Sequence, residues 1–276
     1  MYRFLLTPRW LGILALTVAA SVVMVMLGNW QLSRYEQRSA INERIDAAGR
    51  LDPVPLTEVL AAPGGGAGTA GPAPHRDAAW TRVTVTGRYD STNVVLVRAR
   101  SVESRVGFEI VVPLVLADGT AVLVDRGWVP PAPGGAAAQP EVPPAPEGEV
   151  TIVGRVHLSE SQPGTIGRRD GRIETRRIAV PELAAELPYP TYGAYLLVDE
   201  QTPAADAAFV PIPIRHENNW QNGGYVVQWW LFAGMALVGY GYVARREAHA
   251  RSGKRRPRGD RLEAPAVAPP AAATRD

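Results

Sequence analysis

YVVQWWLFAGMALVGYGYV, residues 225–243, is an apolar run without a charged side chain, closed at once by Arg245 and Arg246. Coiled as a helix at about 1.5 Å per residue, it is long enough to cross the hydrocarbon core of a bilayer. Tyr225, Trp229 and Trp230 near one end and Tyr240 and Tyr242 near the other have the placing of interfacial aromatic belts. The tail carries Arg245, Arg246, Arg251, Lys254, Arg255, Arg256, Arg258 and Arg261. The positive-inside rule then sets the C-terminus in the cytoplasm, and the chain before the run approaches from outside.

A second uncharged run, LGILALTVAASVVMVML, fills residues 11–27. It is longer than the apolar part of a signal peptide and passes into Gly28, Asn29, Trp30 and Gln31 without a small-residue cleavage site, so a retained anchor is expected. Arg3 and Arg9 ahead of it put the N-terminus in the cytoplasm as well. The expected organisation is a cytoplasmic segment (1–10), a first transmembrane helix (11–28), a β-rich extracytoplasmic domain (29–224), a second transmembrane helix (225–243) and a basic, disordered cytoplasmic tail (244–276). This describes a multi-pass protein of the cell membrane with both termini inside. Small residues on the runs, Gly12, Ala15 and Ala19 on the first and Ala233, Ala236, Gly234 or Gly239 on the second, offer surfaces for close helix packing.

The formal charge of +2 averages a basic tail with a middle in which Asp and Glu outnumber Lys and Arg. An acidic middle repels phosphate backbones, so no nucleic-acid partner is expected; the bilayer is partner enough for the tail. The absence of cysteine excludes disulfides, iron–sulfur clusters and thiolate metal sites.

Beyond Trp30 the helical period persists through Leu32, Tyr35, Ile41, Ile45 and Ala48, so the first helix is expected to continue until Gly49 and Pro53. A short helix at 55–60 and a flexible Gly/Ala/Pro loop, APGGGAGTAGPAPH, follow. From Trp80 the period changes to two. WTRVTVTGRYD, NVVLVRAR, GFEIVVPLVLADG, TAVLVDRGWV, EVTIVGRVHL, RIETRRIAV and YGAYLLVDE read as strands of a mainly antiparallel barrel or sandwich. Turn residues such as Asp118-Gly119 and Asp170-Gly171 separate them. The Pro/Ala/Gly insert at 130–146 suits polyproline II or disorder, and Pro181 opens a short helix at 181–187.

Catalytic chemistry finds no support. The one lysine, Lys254, lies in the cytoplasmic tail, out of reach of an outside serine, and no Gly-x-Ser-x-Gly elbow accompanies His75, His157 or His216. Four histidines without ligand spacing predict no metal site, and no catalytic residue is expected. Three clusters ask for more than packing: Gly28-Asn-Trp-Gln-Leu-Ser-Arg34, Val122-Leu-Val-Asp-Arg-Gly-Trp-Val-Pro130 and Gly224-Tyr-Val-Val-Gln-Trp-Trp230. In the third, the Gln228 amide stands at the membrane's outer edge and wants a partner.

In this order the clusters resemble the surfeit locus protein 1 family of cytochrome c oxidase assembly factors. Gly28, Trp30, Gln31 and Arg34 match its Gly-x-Trp-Gln-x-x-Arg stretch. Asp118, Gly119, Val124, Arg126, Gly127, Trp128, Val129 and Pro130 match its central strand, and Tyr225 and Trp229 its Tyr-x-x-x-Trp start of the second helix. The resemblance implies a non-enzymatic role, with haem a delivered to or inserted into the oxidase catalytic subunit. It implies that subunit and haem a synthase as partners, and haem a as a transient cofactor. A scaffold that binds those partners without haem is the alternative; an envelope hydrolase is a weaker one. The residues this assigns as haem contacts are Trp30, Arg34, Arg126, Trp128, His216, Tyr225, Gln228 and Trp229. Where several bacterial members carry a histidine just before the second helix, this chain has Asn222, which leaves His216, a few residues upstream, as the nearby imidazole.

Overall fold

The computed structural model describes residues 2–136, 138–161 and 165–253. It divides into two compact units, one from Met1–Glu36 and Asn218–Asp276, the other from Gln37–Glu217.

The first unit is helical. Helix α1 (Pro8–Ala48) begins on a proline, whose missing N–H costs nothing in a first turn, and stops at Gly49 as the sequence predicts. The other long helix here, Trp220–Gly253, starts five residues before the expected span and carries on through Arg245 and Arg246. Residues 244–253 are therefore helical rather than disordered; the rest of the expected tail lies outside the described residues. Both helices are long and apolar enough to cross a membrane.

They pack on each other, but not through the small-residue stripes. Gly12, Gly234 and Gly239 have no neighbour within 4 Å of where a Cβ would stand, and only Ala233 of the proposed set is buried. The contacts are more specific. The Trp230 indole lies against Gly28, where a Cβ would come within 2.5 Å of it. Ser21 Oγ donates to the Ala233 carbonyl at 3.2 Å, and Asn222 Nδ2 donates to Gln31 Oε1 at 2.7 Å. At the far end Phe4, Trp10, Ala244 and Ala248 form a small buried cluster, with Arg251 over the Phe4 ring.

The second unit is a nine-stranded sheet. In chain order its strands are β1 (Val54–Pro55), β2 (Arg82–Tyr89), β3 (Val95–Val102), β4 (Arg105–Val115), β5 (Ala121–Val129), β6 (Val150–Leu158), β7 (Gly167–Arg169), β8 (Arg172–Thr175) and β9 (Thr191–Thr202). The spatial order is β1-β2-β6-β9-β5-β4-β3-β8-β7, and β2 pairs additionally with β4. Short helices α2 (Leu56–Val59) and α3 (Val180–Ala184) cover it, the latter with proline in its first turn; the helix Trp220–Gly253 is α4. All seven strands read from alternation are present. Among the described residues six of the nine pairings are antiparallel, as expected, while β1–β2, β3–β8 and β5–β9 run parallel, so the sheet is mixed rather than purely antiparallel. Alternation reports which face is buried, not strand direction. Every residue of β5 is buried, as in a strand covered on both faces, whichever way its neighbours run.

Two segments expected to be loose are held. Thr191 N–H donates to the Thr69 carbonyl at 2.9 Å and Gly71 N–H to the Thr191 carbonyl at 2.7 Å, fixing the Gly/Ala/Pro loop along β9. Gly193 permits that approach, since a Cβ there would meet the Pro72 carbonyl at 2.2 Å. The insert at 130–146 is tied by Arg126, whose Nη1 and Nη2 donate to the carbonyls of Pro143 and Pro144 at 3.2 and 3.1 Å. Backbone hydrogen bonds and a buried donor supply what the apolar content of these segments does not.

Candidate functional site

The end of β5 is shaped by a bulge. Val111 pairs with Asp125 and Glu109 with Trp128, so Arg126 and Gly127 together face the single residue Ile110 on β4. Gly127 adopts φ +129, a conformation that favours glycine, and its N–H donates to Asp125 Oδ1 at 3.1 Å. The Arg126 guanidinium is buried over the rings of Phe209 (4.6 Å) and Tyr89 (5.0 Å). Trp128 is 1% exposed and its Nε1 donates to the Arg100 carbonyl at 3.0 Å, with Gly107 leaving room beneath its ring.

Beside the bulge lies a polar network. Arg100 Nε stands 2.9 Å from Glu109 Oε2, and Arg100 Nη2 donates to Glu160 Oε1. Burial pushes the Glu109 carboxyl up to about 7 against the pull of Arg100, with Glu160 adding to the rise. Burial also raises Asp125 well above the usual carboxylate range. The Tyr195 hydroxyl is pushed up by burial and by Asp125, and it lies 3.4 Å from His157 Nδ1. Burial, seconded by Arg155, pushes His157 down to about 4, so its imidazole is neutral at pH 7.

His157 lines a cavity of about 690 Å³ whose other walls include Gln37, Ile41 and Arg44 of α1, Trp80 and Tyr195. Its ring meets the Trp80 indole edge-on at 4.5 Å. Trp80 is placed by its N–H, which donates to the Val156 carbonyl at 2.8 Å, and it holds φ +73, unusual for a bulky residue. This cleft was not legible in the sequence. Trp80 and His157 are far apart in the chain and meet only through the β2–β6 register.

The eight residues assigned from the resemblance divide between the units. Trp30, Arg34, Tyr225, Gln228 and Trp229 belong to the helical unit. Trp30 is 54% exposed with the Arg34 guanidinium 5.7 Å from its ring centre; Tyr225 and Gln228 are exposed, and Trp229 is half-buried edge-on to Phe232. Arg126, Trp128 and His216 belong to the sheet unit, where the first two are buried neighbours on β5. His216 is exposed, its Nε2 2.9 Å from Asp46 Oδ1. Asn222, at the position of the family histidine, spends its Nδ2 on Gln31.

The donor set fits haem in one respect only: a haem iron takes imidazole, and one neutral imidazole with an unused ring nitrogen, His157 Nε2, is present and buried.

Comparison with known proteins agrees with these motifs. The model of the SURF1 family matches residues 18–234. An uncharacterised SURF1-like protein of Mycobacterium bovis is 34% identical over 254 residues, covering 90% of this chain and 88% of the relative. One from Mycobacterium tuberculosis shows the same identity and coverage. A SURF1-like protein of Monosiga brevicollis is 24% identical over 269 residues, covering 87% of this chain and 90% of its own.

Proposed function

Because the chain belongs to the SURF1 family, we propose that it is a non-enzymatic assembly factor for cytochrome c oxidase that handles haem a on its way into the catalytic subunit. The observation that carries this reading is the family match from one long apolar helix to the other, with the family motifs at residues 28–34 on the first and 225–229 on the second. In this reading the sheet unit lies outside the cytoplasm, both termini lie inside, and the β2–β4 pairing closes a small five-stranded barrel. Trp30, Tyr225, Gln228 and Trp229 stand exposed or half-buried where the helices leave the bilayer, so they are the surface offered to the oxidase catalytic subunit and to haem a synthase. Arg126 and Trp128 act from within, by holding the insert and the strand end.

Affinity purification of the tagged chain from membranes that express the oxidase tests this reading. The catalytic subunit or haem a synthase is expected to co-purify, and Trp30→Ala with Trp229→Ala to reduce the yield. Recovery of neither partner after cross-linking argues against it. A scaffold that never touches haem is the second reading. It is favoured by the pairing of His216 with Asp46 and of Asn222 with Gln31, which occupies the groups nearest the family's ligand position.

A further inference from the structure

The start of α1 and the end of α4 are folded together. Ahead of α1 the 3-10 turn Arg3–Leu6 is stopped at Thr7, whose N–H and hydroxyl both donate to the Phe4 carbonyl, at 3.0 and 2.7 Å. The Phe4 ring meets the Trp10 indole edge-on at 5.0 Å, Trp10 meets Tyr240 at 6.0 Å, and Ala244 and Ala248 complete a buried cluster. Arg251 closes it, with its guanidinium 4.7 Å from the Phe4 ring centre and its Nε donating to Glu247 Oε1 at 2.8 Å. The cluster is what holds the first arginines of the chain beside those of α4.

Around this cluster the surface is cationic and apolar at once. Arg3, Arg9, Arg245 and Arg246 are exposed, and among the described residues none of the four has a hydrogen bond or ion pair from its side chain. Within residues 2–10 and 244–253 these arginines and Arg251 are matched by a single acid, Glu247, which Arg251 already holds. Tyr2 and Leu6, on either side of the buried Phe4, are 49% and 75% exposed. Cations alone suit a nucleic acid or an acidic protein. Cations among exposed apolar side chains, at the ends of helices long and apolar enough to cross a bilayer, suit a phosphate with an acyl chain below it. The family model matches residues 18–234, so the cluster lies in parts of this chain outside that match.

We propose that this folded end is a binding site for an anionic phospholipid of the cytoplasmic leaflet, its phosphate held by Arg9, Arg245 and Arg246 and its upper acyl chain lying against Leu6 and Tyr2. Guanidinium forks take phosphate oxygens in pairs, and an arginine without a carboxylate has no partner to give up. Arginines that serve topology alone need no fixed arrangement, because the positive-inside bias counts charge. Here a buried cluster sets them in place. A lipid so held bridges the N-terminal turn and α4 and adds to their pairing. The proposal rests on the membrane layout of the reading above and on nothing it says of oxidase or haem.

The test offers the full chain, purified in detergent, equal amounts of phosphatidylglycerol and phosphatidylcholine and counts the retained lipids by native mass spectrometry. The parent is expected to keep phosphatidylglycerol. Arg9→Gln, Arg245→Gln and Arg246→Gln together remove roughly fivefold apiece, so affinity for that lipid falls about 100-fold. The same change at Lys254, Arg255, Arg256 and Arg258 leaves most of it. Phe4→Ala removes no charge but weakens retention, because the N-terminal arginines lose their seat. Unaltered retention in Phe4→Ala, or a loss in the tail variant equal to that in the arginine variant, reduces the effect to unplaced charge and overturns the proposal. A photoactivatable phosphatidylglycerol is expected to cross-link the parent within residues 2–10 and 244–251, a readout that needs no variant to fold. Cross-links spread along both helices, displacement of the lipid by glycerol phosphate or a short RNA at matching concentration, or a parent without preference each overturn it too. The measurement involves neither oxidase nor haem, so its failure leaves the assembly reading standing, and failure of oxidase subunits to co-purify leaves this site standing. Residue 270 found outside in reporter fusions fells the layout, and the leaflet assigned here with it.

Discussion

Replacing Arg126 with alanine should unfasten the insert at 130–146 from the sheet. The guanidinium gives one hydrogen bond each to the Pro143 and Pro144 carbonyls and lies over the Tyr89 and Phe209 rings. Two charge-assisted hydrogen bonds contribute about 1.5–3 kcal/mol apiece, and two ring contacts about 1–2 kcal/mol each. Against that stands the cost of keeping the guanidinium, which is 5% exposed, away from water, several kcal/mol that the substitution recovers. The net loss is about 3 kcal/mol, and for a unit of this size it corresponds to a fall in Tm of roughly 6–12 °C. Arg126→Lys keeps the charge but not the fork, so it should fall between parent and alanine. Melting curves from tryptophan fluorescence in detergent, with proteolysis timed at the insert, measure both effects. An alanine variant that melts within about 2 °C of the parent, its insert equally protected, refutes the structural role. One that melts normally yet retains porphyrin poorly moves the guanidinium from support to ligand contact.

Three further outcomes follow from the geometry. Gly28→Ala sets a Cβ within 2.5 Å of the Trp230 indole and should weaken the α1–α4 pairing by about 1–3 kcal/mol, with Trp230→Ala relieving the clash; additive effects of the two changes, measured in a double-mutant cycle, would show the contact is absent. Since burial raises Glu109 to about 7 in the fold against 4.5 for a free carboxyl, its contribution is fully present below about pH 4.5 and lost as pH rises through about 7. The sheet unit should therefore lose on the order of 3 kcal/mol between pH 5 and 8, and Glu109→Gln should flatten that slope; a parent Tm that climbs over this interval contradicts the assignment. Reporter fusions should place residue 140 outside and residue 270 inside, and a cytoplasmic residue 140 would overturn the membrane layout.

The sequence carried the elements well because each has a period. The stripe ending in Ile45 and Ala48 marks the face of α1 that is buried, and seven alternating segments became seven strands. Strand direction was not legible, because β5 reads as apolar on both faces whichever way its neighbour β9 runs. Nor was the fastening of the Gly/Ala/Pro loop, which depends on backbone groups of Thr69 and Gly71 that have no side-chain signature. β1 and β7 are two and three residues long, too short for any period to show. The site was legible only as motifs. Arg126 and Trp128 stood out by composition, but their burial follows from the bulge at Gly127, and His157 gained its meaning only when β6 brought it against Trp80 and Tyr195.

The most direct test is the reduced-minus-oxidised spectrum of membranes from cells that lack this protein while transcribing the oxidase genes normally. An assembly factor acts after its target subunit is made, so the haem a absorbance of mature oxidase should fall sharply and return when the full chain is supplied. Membranes in which that absorbance and oxidase turnover match those of the parent strain would contradict the function assigned.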